Sequence, residues 1–501
     1  MPVGNSPSVF RRLPPEQAVA QVTLARHRLP RQFGTAQLVM LGLGVMIGAG
    51  IFSLAGQQAS ASAGPAVLIS FLIASFVCLL AALSYAELSS TIPAAGSVYT
   101  FSYVAFGELW GWLVGWALVL EVLIAAALVA RVWATYLVAT VNGLVGNVPG
   151  WLADHASVDS GVNWVAFALL VTLALMVLTG TRLSARVLSI VVVAKVAVIL
   201  FVIGIGARYI SVANYTPLIP KSQPSGSSVH ATVIQSLLGR AHSFGWMGVC
   251  TAAGVIVFAY IGFDLIATSA EDAVHPRRTI PRSMLISLGL VTLLYLAMGA
   301  VLVGLRPYTE LGSAAPISDA LTAAGVGWAA NLVNLGALLA LTTVVMVVLI
   351  AQSRLLFAMG RDRLLPAPLG EVSGFGAPSK AAAVAGTAAA LLALYPGLVD
   401  LEQLLVLGAL FSFLFCSIGV ILLRRSQPEL ERGFRVPLVP FVPLLSALST
   451  IWLMLNLATV TWRNFAVWMA VGLAFYLVHG RRTSNLVGQP PADLHGTHAL
   501  R

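Results

Sequence analysis

Apolar stretches long enough to cross a lipid bilayer recur along almost the whole sequence, and this recurrence constrains the fold more than any single motif. A membrane-spanning helix needs about 20 predominantly apolar residues. Of the 501 residues, 58% are hydrophobic and only 9% are charged, a balance that is not expected of a water-soluble globular domain. The sequence predicts an all-α integral membrane protein with twelve spans, at 36–60, 66–89, 104–137, 162–180, 187–207, 247–271, 284–305, 328–358, 380–396, 402–423, 438–460 and 463–479.

The basic residues are unevenly distributed between the two sides of this predicted membrane domain. If the N-terminus is cytosolic, the cytosolic segments carry 21 Lys and Arg residues and the external segments carry 5, with Arg131 and Lys195 inside spans. Such a bias sets the orientation of membrane proteins, so the net charge of +10 is a topology signal and not a nucleic-acid-binding surface. We therefore expect a multi-pass protein of the cell membrane with cytosolic tails at 1–35 and 481–501 around a transmembrane domain at 36–480.

Glycines interrupt the first span, and a matching interruption lies in the sixth. The first span contains "VMIGAGIFSLAG" at 45–56, and the sixth contains "FAYIGFD" at 258–264, with a glycine and a carboxylate at mid-membrane. The two positions correspond if 36–207 and 247–423 are repeats of five spans each, followed by two extra helices at 438–479. Because five is odd, the second repeat enters from the opposite side, which gives an inverted repeat with discontinuous helices 1 and 6. Close helix packing is the alternative role of these glycines.

Broken helices at membrane depth imply a cavity, because only protein or water can satisfy the freed backbone groups. The half-helix that begins near Gly50 presents N–H groups and a positive dipole end, which suit a carboxylate. The half-helix that ends near Phe258 to Ile261 presents C=O groups, which suit an ammonium group. A small zwitterion satisfies both ends, so the pattern predicts an α-amino acid as the ligand.

At these residues the sequence resembles the amino acid-polyamine-organocation (APC) superfamily, and most closely its cationic amino acid transporter (CAT)-like branch. The resemblance extends from about 33 to 480. It is carried by an ordered series of motifs, namely "GLGVMIGAGIF" from 42, "SYAELSSTIPAAGSVYTFSYVAFGELWGWLVGW" from 84, "VARVW" from 129, "ANYTPLIP" from 213, "FAYIGFDLIATSAED" from 258, "SRLLFAMGRDRLLP" from 353 and "FRVPLVPFVPLL" from 434.

The resemblance implies a permease that works by alternating access, and it implies a set of substrate contacts. By analogy with bacterial members, the substrate carboxylate meets the backbone of the first break at Ile47, Gly48, Ala49, Gly50 and Ile51. The substrate amino group meets the carbonyl groups of Phe258, Ala259 and Ile261 at the second break. Phe258 also helps to close the site.

Lys195 lies eight residues into the fifth span, at a depth of about 12 Å by helical rise. Burial of the charged form of an ammonium group is energetically costly. Lys195 can therefore lose and regain its proton within a transport cycle. In the family that this sequence resembles, a lysine in such an "AKVAV" context occupies the position at which sodium-coupled relatives bind their ion. Our hypothesis is that Lys195 couples transport to protons. The alternative is a structural role, in which a permanently charged Lys195 is hydrogen-bonded to carbonyl groups of the first span.

Three carboxylates within or beside the spans have two interpretations each. Glu121 contacts a cationic substrate side chain, or it forms a structural ion pair, with Lys195 or Arg131 as candidates. Asp264 organises the unwound sixth span by accepting backbone N–H bonds, or it carries a proton. Glu87, near the predicted cytosolic end of the second span, is a boundary or gating charge, although a solvated edge charge is the favoured account.

The predicted function is secondary active transport of α-amino acids, cationic or small neutral, by a proton symporter. An exchanger or facilitator without proton coupling, and a receptor that binds without transporting, stay open. An enzyme is not expected, because His155, His230 and His242 have no metal or triad spacing, and a pump is disfavoured because no nucleotide-binding loop is present. No cofactor, metal or nucleic acid is predicted. The expected partners are the amino acid, protons and the lipid bilayer, with monomer and homodimer both open.

Overall fold

The computed structural model describes residues 11–15, 33–94, 96–156, 161–179, 185–224, 231–239, 242–270, 273–374, 376–398 and 401–486. The predicted tails 1–35 and 481–501 lie largely outside these residues. The α-helices of the described residues are α1 (Thr35–Met46), α2 (Ala55–Gln58), α3 (Val67–Thr91), α4 (Val98–Phe106), α5 (Glu108–Val145), α6 (Gly150–Ala156), α7 (Trp164–Leu178), α8 (Ala185–Gly206), α9 (Val233–Leu237), α10 (Gly245–Tyr260), α11 (Leu265–Thr268), α12 (Pro276–Leu305), α13 (Pro316–Ala323), α14 (Gly327–Arg361), α15 (Ser379–Ala393), α16 (Glu402–Ser426), α17 (Phe441–Leu455), α18 (Thr459–Phe475) and α19 (Arg481–Thr483).

Shorter helical turns and one small ribbon complete the secondary structure of these residues. Turns of π-helix lie at Gly50–Leu54, Ala59–Ala63 and Tyr476–Gly480, and turns of 3-10 helix lie at Gly64–Ala66, Ala207–Tyr209, Val212–Tyr215, Tyr308–Glu310 and Ala367–Gly370. Strands β1 (Gln223–Pro224) and β2 (His242–Ser243) pair antiparallel, with Gln223 opposite Ser243.

Seven helical runs in the described residues are long and apolar enough to cross a membrane, which makes this a multi-pass, all-helical membrane protein. They are Gly50–Thr91, Glu108–Val145, Val187–Tyr209, Gly245–Thr268, Pro276–Leu305, Gly327–Arg361 and Glu402–Ser426. Four shorter apolar helices, α1, α7, α15 and α17, have between 10 and 17 residues. The total of twelve spans stays a prediction.

The third predicted span begins later than the sequence indicates. We expect it from 104 to 137, but residues 104–106 end the separate helix α4, Gly107 divides the chain, and α5 continues to Val145. At 38 residues, α5 is about 57 Å long by helical rise, well beyond the bilayer core of about 30 Å. A helix of this length must tilt or extend beyond the membrane.

Two long helices form the centre of the bundle. α5 packs along α14 and also contacts α16. α12 packs against α3 and α1, while α3 also contacts α10 and α1 contacts α8. Both interrupted segments therefore lie among the central helices and away from the lipid-facing surface.

Indole rings join α18 to α5 through hydrogen bonds and stacking. The Trp116 Nε1–H donates to the Trp468 carbonyl at 3.0 Å, and the Trp468 Nε1–H donates back to the Trp116 carbonyl at 3.0 Å. Trp112 donates to the Gly472 carbonyl at 2.8 Å and stacks on Phe475. Trp112 is fully buried, because its ring is used between helices.

Segments near the two ends of the described chain meet at Glu108, the first residue of α5. The Arg11 guanidinium lies 3.8 Å from the Glu108 carboxylate, and the Ser484 hydroxyl donates to the same carboxylate at 2.6 Å. Arg11 also donates to the Arg481 carbonyl at 3.3 Å. Both segments therefore lie at the same end of the bundle.

Glu87 is buried and fully paired, so the account of it as a solvated edge charge is wrong. The Arg424 guanidinium of α16 donates to both carboxylate oxygens, at 2.8 and 2.6 Å. The Val436 N–H donates to Glu87 at 2.6 Å, and Arg432 approaches within 3.4 Å. This fork geometry is the strong form of an ion pair, and it joins α3, α16 and the segment that follows α16.

We expect Glu87→Gln to destabilise the protein by about 3 kcal/mol, because breaking a buried ion pair leaves an uncompensated charge. The effect is measured as a lower melting temperature of the purified protein in detergent. The matched control is Glu371→Gln, which breaks an exposed pair with Lys380 (2.6 Å apart, side chains 61% and 59% exposed) and costs about 0–1 kcal/mol. Equal melting temperatures for the two variants would contradict a stabilising role for the Glu87 cluster.

Candidate functional site

The first break lies between α1 and the helical turns that follow it. α1 ends at Met46, and Ile47 leaves the helix with φ −74° and ψ 85°. Helical turns resume at Gly50. The backbone bonds across the break are long, since the N–H groups of Ile51 and Phe52 reach the Gly48 carbonyl at 3.3 and 3.4 Å. The resumed helix therefore begins with N–H groups that point towards the break.

The second break follows α10, which ends at Tyr260. Ile261 leaves the helix with φ −59° and ψ 130°, and Gly262 has φ 131°, a conformation that a side chain strongly disfavours. The Gly262 N–H donates to the Asp264 carboxylate at 2.9 Å. This is the kind of backbone N–H bond that the organising interpretation of Asp264 expects, and its role as a proton carrier stays a proposal.

The two breaks contact one another directly, in a reciprocal way. A Cβ atom on Gly50 would lie 2.4 Å from the Ala259 Cβ and 2.6 Å from its Cα. A Cβ atom on Gly262 would lie 2.8 Å from the Val45 side chain. At each break, a glycine leaves room for a residue of the other broken helix. Both predicted interruptions therefore belong to one junction.

A small buried cavity of about 30 Å³ lies at this junction. Its volume is enough for one or two water molecules, so the site is contracted in this conformation. Both breaks contribute to its wall, together with α5 and α14. The lining residues are Val45, Met46, Gly48, Ala49, Gly50, Glu121, Val122, Ala125, Val129, Phe258, Ile261, Leu265, Val344 and Val348.

Six of the nine substrate contacts that we expect lie in this wall, namely Gly48, Ala49, Gly50, Glu121, Phe258 and Ile261. Ile47, Ile51 and Ala259 do not line it. The apolar side chains of α5 and α14 were not predicted. Helical spacing from Glu121 would have found Ala125 and Val129, which follow at intervals of four residues on the same face. Val344 and Val348 give no comparable signal, because a valine in an apolar helix is unremarkable in sequence.

Lys195 binds the end of α1 and does not line the cavity. Its side chain is buried, and its Nζ donates to the Gly44 carbonyl at 2.8 Å and lies 3.5 Å from the Ile47 carbonyl. A cation near the C-terminus of a helix interacts favourably with the helix dipole and satisfies carbonyl groups that have no intrahelical partner. Any change in its charge would therefore act first on the first break.

Glu121 is buried in the cavity wall, and neither carboxylate oxygen has a hydrogen-bond partner among the residues that the structure describes. Within that part of the chain, Glu121 does not form the ion pair with Lys195 or Arg131 that was one of its two interpretations. Lys195 binds α1 instead, and Arg131 donates to the carbonyl groups of Ala393, Gly161 and Tyr395, at 2.9, 3.1 and 2.8 Å. A buried carboxylate without a partner is costly, so it is available to a ligand.

Residues 33–475 match the family model for amino acid permeases, a range that includes both breaks and the whole cavity wall. The chain belongs to the amino acid permease family. The resemblance to APC permeases is thereby confirmed, and this permease is a transporter of amino acids and not an enzyme.

Several relatives cover nearly the whole permease. It is 37% identical over 482 residues to the methylthioribose transporter of Bacillus subtilis (strain 168), covering 96% of this chain and 99% of that protein. It is 36% identical over 485 residues to the branched-chain amino acid permease BcaP of the same organism, with the same two coverages. It is 34% identical over 406 residues to the vacuolar cationic amino acid transporter 4 of Arabidopsis thaliana, covering 80% of this chain and 65% of that protein.

We expect Gly50→Ala to destabilise the permease by about 1–3 kcal/mol, because the new methyl group overlaps the Ala259 backbone and must displace it. The measurement is the melting temperature in detergent. Gly289→Ala in α12 is the control, since a Cβ there meets no atom within 4 Å. Equal stability of Gly50→Ala and Gly289→Ala would mean that the breaks are not in tight contact.

Proposed function

We propose that the protein imports α-amino acids across the cell membrane by alternating access, coupled to protons. The single observation that carries this proposal is the junction of two broken helices around one buried cavity. One break presents helix N–H groups and the other presents helix C=O groups, so the cavity offers opposite poles to a zwitterion. Discontinuous helices that meet at mid-membrane are typical of secondary transporter binding sites.

In this proposal the substrate carboxylate binds the backbone of Ile47 to Ile51, and the ammonium group binds carbonyl groups of the second break. Of these carbonyl groups, that of Ala259 already accepts the Tyr295 hydroxyl at 2.8 Å. Phe258 and Ile261 line the cavity and Ala259 does not, so their carbonyl groups are the acceptors that we propose, although that of Phe258 also accepts the Ile261 N–H at 3.2 Å. Because the cavity is contracted, substrate entry requires that the breaks and α14 move apart, and the Phe258 ring then closes over the ligand.

The membrane architecture in this proposal has twelve spans. Residues 36–207 and 247–423 form the two inverted repeats, and 438–479 form the extra helices. The matching breaks favour the repeat relationship. The excess of Lys and Arg on one side favours cytosolic termini, and the meeting of Arg11 and Ser484 at Glu108 agrees with two ends on one side.

The cavity wall favours substrates with cationic or small neutral side chains. Glu121 offers an unpaired carboxylate to a cation, and valine and alanine side chains of α5 and α14 surround it. Relatives named as cationic and branched-chain amino acid transporters agree with these two classes. The relative named as a methylthioribose transporter favours a second candidate, a neutral thioether sugar, which has no charges for the two helix ends.

The decisive experiment is uptake of radiolabelled amino acids into proteoliposomes, followed by competition with unlabelled amino acids and with methylthioribose. We expect time-dependent uptake of an α-amino acid, and competition only by molecules with both a free amino and a free carboxylate group. Binding without uptake would indicate a receptor, and competition by methylthioribose alone would favour the sugar. In Glu121→Gln we expect cationic amino acids to compete at least about tenfold less well, with neutral ones unchanged. Unchanged selectivity would remove the recognition role of Glu121.

We expect Lys195→Met to abolish the stimulation of uptake by an inward proton gradient, because the charge at the end of α1 can then no longer change. Exchange of labelled for unlabelled amino acid at equal pH should persist, which shows that the variant is folded. Lys221→Met, at an exposed lysine, is the matched control. Undiminished proton-driven uptake in Lys195→Met would rule out coupling through this residue and leave it a structural role, with exchange or facilitated transport as the mechanism.

A further inference from the structure

Tyr295 of α12 lies between the two breaks, although no sequence motif points to it. The residue is 1% exposed. Its ring packs edge-on against Phe71 of α3, with ring centres 5.6 Å apart, and against Tyr260, with ring centres 5.4 Å apart. Phe71 is itself fully buried, so the position of the Tyr295 ring is fixed by packing on two sides.

The Tyr295 hydroxyl contacts one carbonyl group from each broken helix. It donates to the Met46 carbonyl and to the Ala259 carbonyl, the latter at 2.8 Å. Met46 is the last residue of α1, and Ala259 is the second-last residue of α10. A phenol has one proton. Two carbonyl groups from the ends of two helices therefore share a single donor.

Three other carbonyl groups near these helix ends have different donors. The Gly44 carbonyl accepts from Lys195, and the Val257 and Phe258 carbonyl groups accept from the Ile261 N–H, both at 3.2 Å. Without the Tyr295 hydroxyl, the carbonyl groups of Met46 and Ala259 would lose the donor that they share. Unsatisfied carbonyl dipoles with like poles together repel, and this would push the two breaks apart.

We propose that Tyr295 is a positioning residue that holds the two breaks at a fixed separation. Tyr295 binds the carbonyl group of Met46, which lines the cavity. It also binds the carbonyl group of Ala259, whose neighbour Phe258 lines the cavity. Its hydroxyl thus sets how far the carbonyl groups of Phe258 and Ile261 lie from the N–H groups of the first break. The effect on amino acid affinity rests on the proposed function, whereas the link between the breaks does not.

Tyr260→Phe is the matched control for Tyr295→Phe. Tyr260 belongs to the same ring cluster and is fully buried, but its hydroxyl donates to the Phe71 carbonyl of α3 at 3.1 Å. Each substitution removes one oxygen atom from neighbouring aromatic rings. Only Tyr295→Phe removes a bond to both breaks.

The first measurement is hydrogen–deuterium exchange of the purified proteins without amino acid. In Tyr295→Phe we expect peptides that cover 45–52 and 257–264 to exchange about tenfold faster, the effect of one lost buried hydrogen bond. In Tyr260→Phe we expect the 45–52 peptide to stay within about twofold of wild type, whereas the 257–264 peptide, which contains Tyr260 and loses its bond to α3, also exchanges faster. Peptides from the α5 and α14 interface serve as the reference for global opening. Unchanged exchange in Tyr295→Phe, a change in only one break in that variant, or an equal change of the 45–52 peptide in Tyr260→Phe would overturn the link.

The second measurement is the kinetics of amino acid uptake. We expect Tyr295→Phe to raise KM about tenfold, with the maximal rate within about twofold of wild type, and Tyr260→Phe to change neither by more than about twofold. An unchanged KM in Tyr295→Phe would overturn the positioning role. Absence of uptake by the wild-type protein would instead refute the proposed function, and the exchange measurement would still decide whether Tyr295 joins the breaks.

Discussion

The direct contact between two interrupted helices is the constraint on which the site depends. Lipid offers no hydrogen bonds, so a helix that stops at membrane depth must find partners for its last carbonyl groups and next N–H groups within the protein. Here each break lies against the other, with Gly50 on the Ala259 backbone and Gly262 on the Val45 side chain. The space between them is the cavity. The arrangement that creates a binding site therefore also shields the freed backbone from lipid.

Side chains from other parts of the structure complete this shielding. Lys195 of α8 binds the end of α1, Asp264 binds the N–H group of Gly262, and Tyr295 of α12 binds a carbonyl group at each break. These contacts use a cation, an anion and a neutral hydroxyl, each matched to the pole of the backbone group that it meets. Each of these side chains contacts a break directly. A change in its protonation, or in ligand binding beside it, would therefore act on the breaks first.

The sequence predicts the breaks well and their surroundings poorly, for a physical reason. Aspartate and lysine within apolar runs are costly in a membrane, so their presence signals a use, and Asp264 and Lys195 stand out for this reason. Gly48 and Gly262 stand out because they lie at matching positions of two spans. Tyr295 and Val344 carry no such signal, because a tyrosine or valine is ordinary in a spanning helix. Pairing between distant segments is equally invisible. Glu87 is close in sequence to a predicted helix end, and only the fold reveals that Arg424, 337 residues later, neutralises it.

The tryptophan contacts between α5 and α18 bear on how the last two helices relate to the rest of the chain. Helix α5, which carries Glu121 into the cavity wall, also places the indole rings of Trp112 and Trp116 against α18. A chain truncated before α18 would leave these rings without the Gly472 surface that accommodates them. Helix α18 is thus a structural brace of the binding-site helix, and its removal would alter the packing of the helix that carries Glu121.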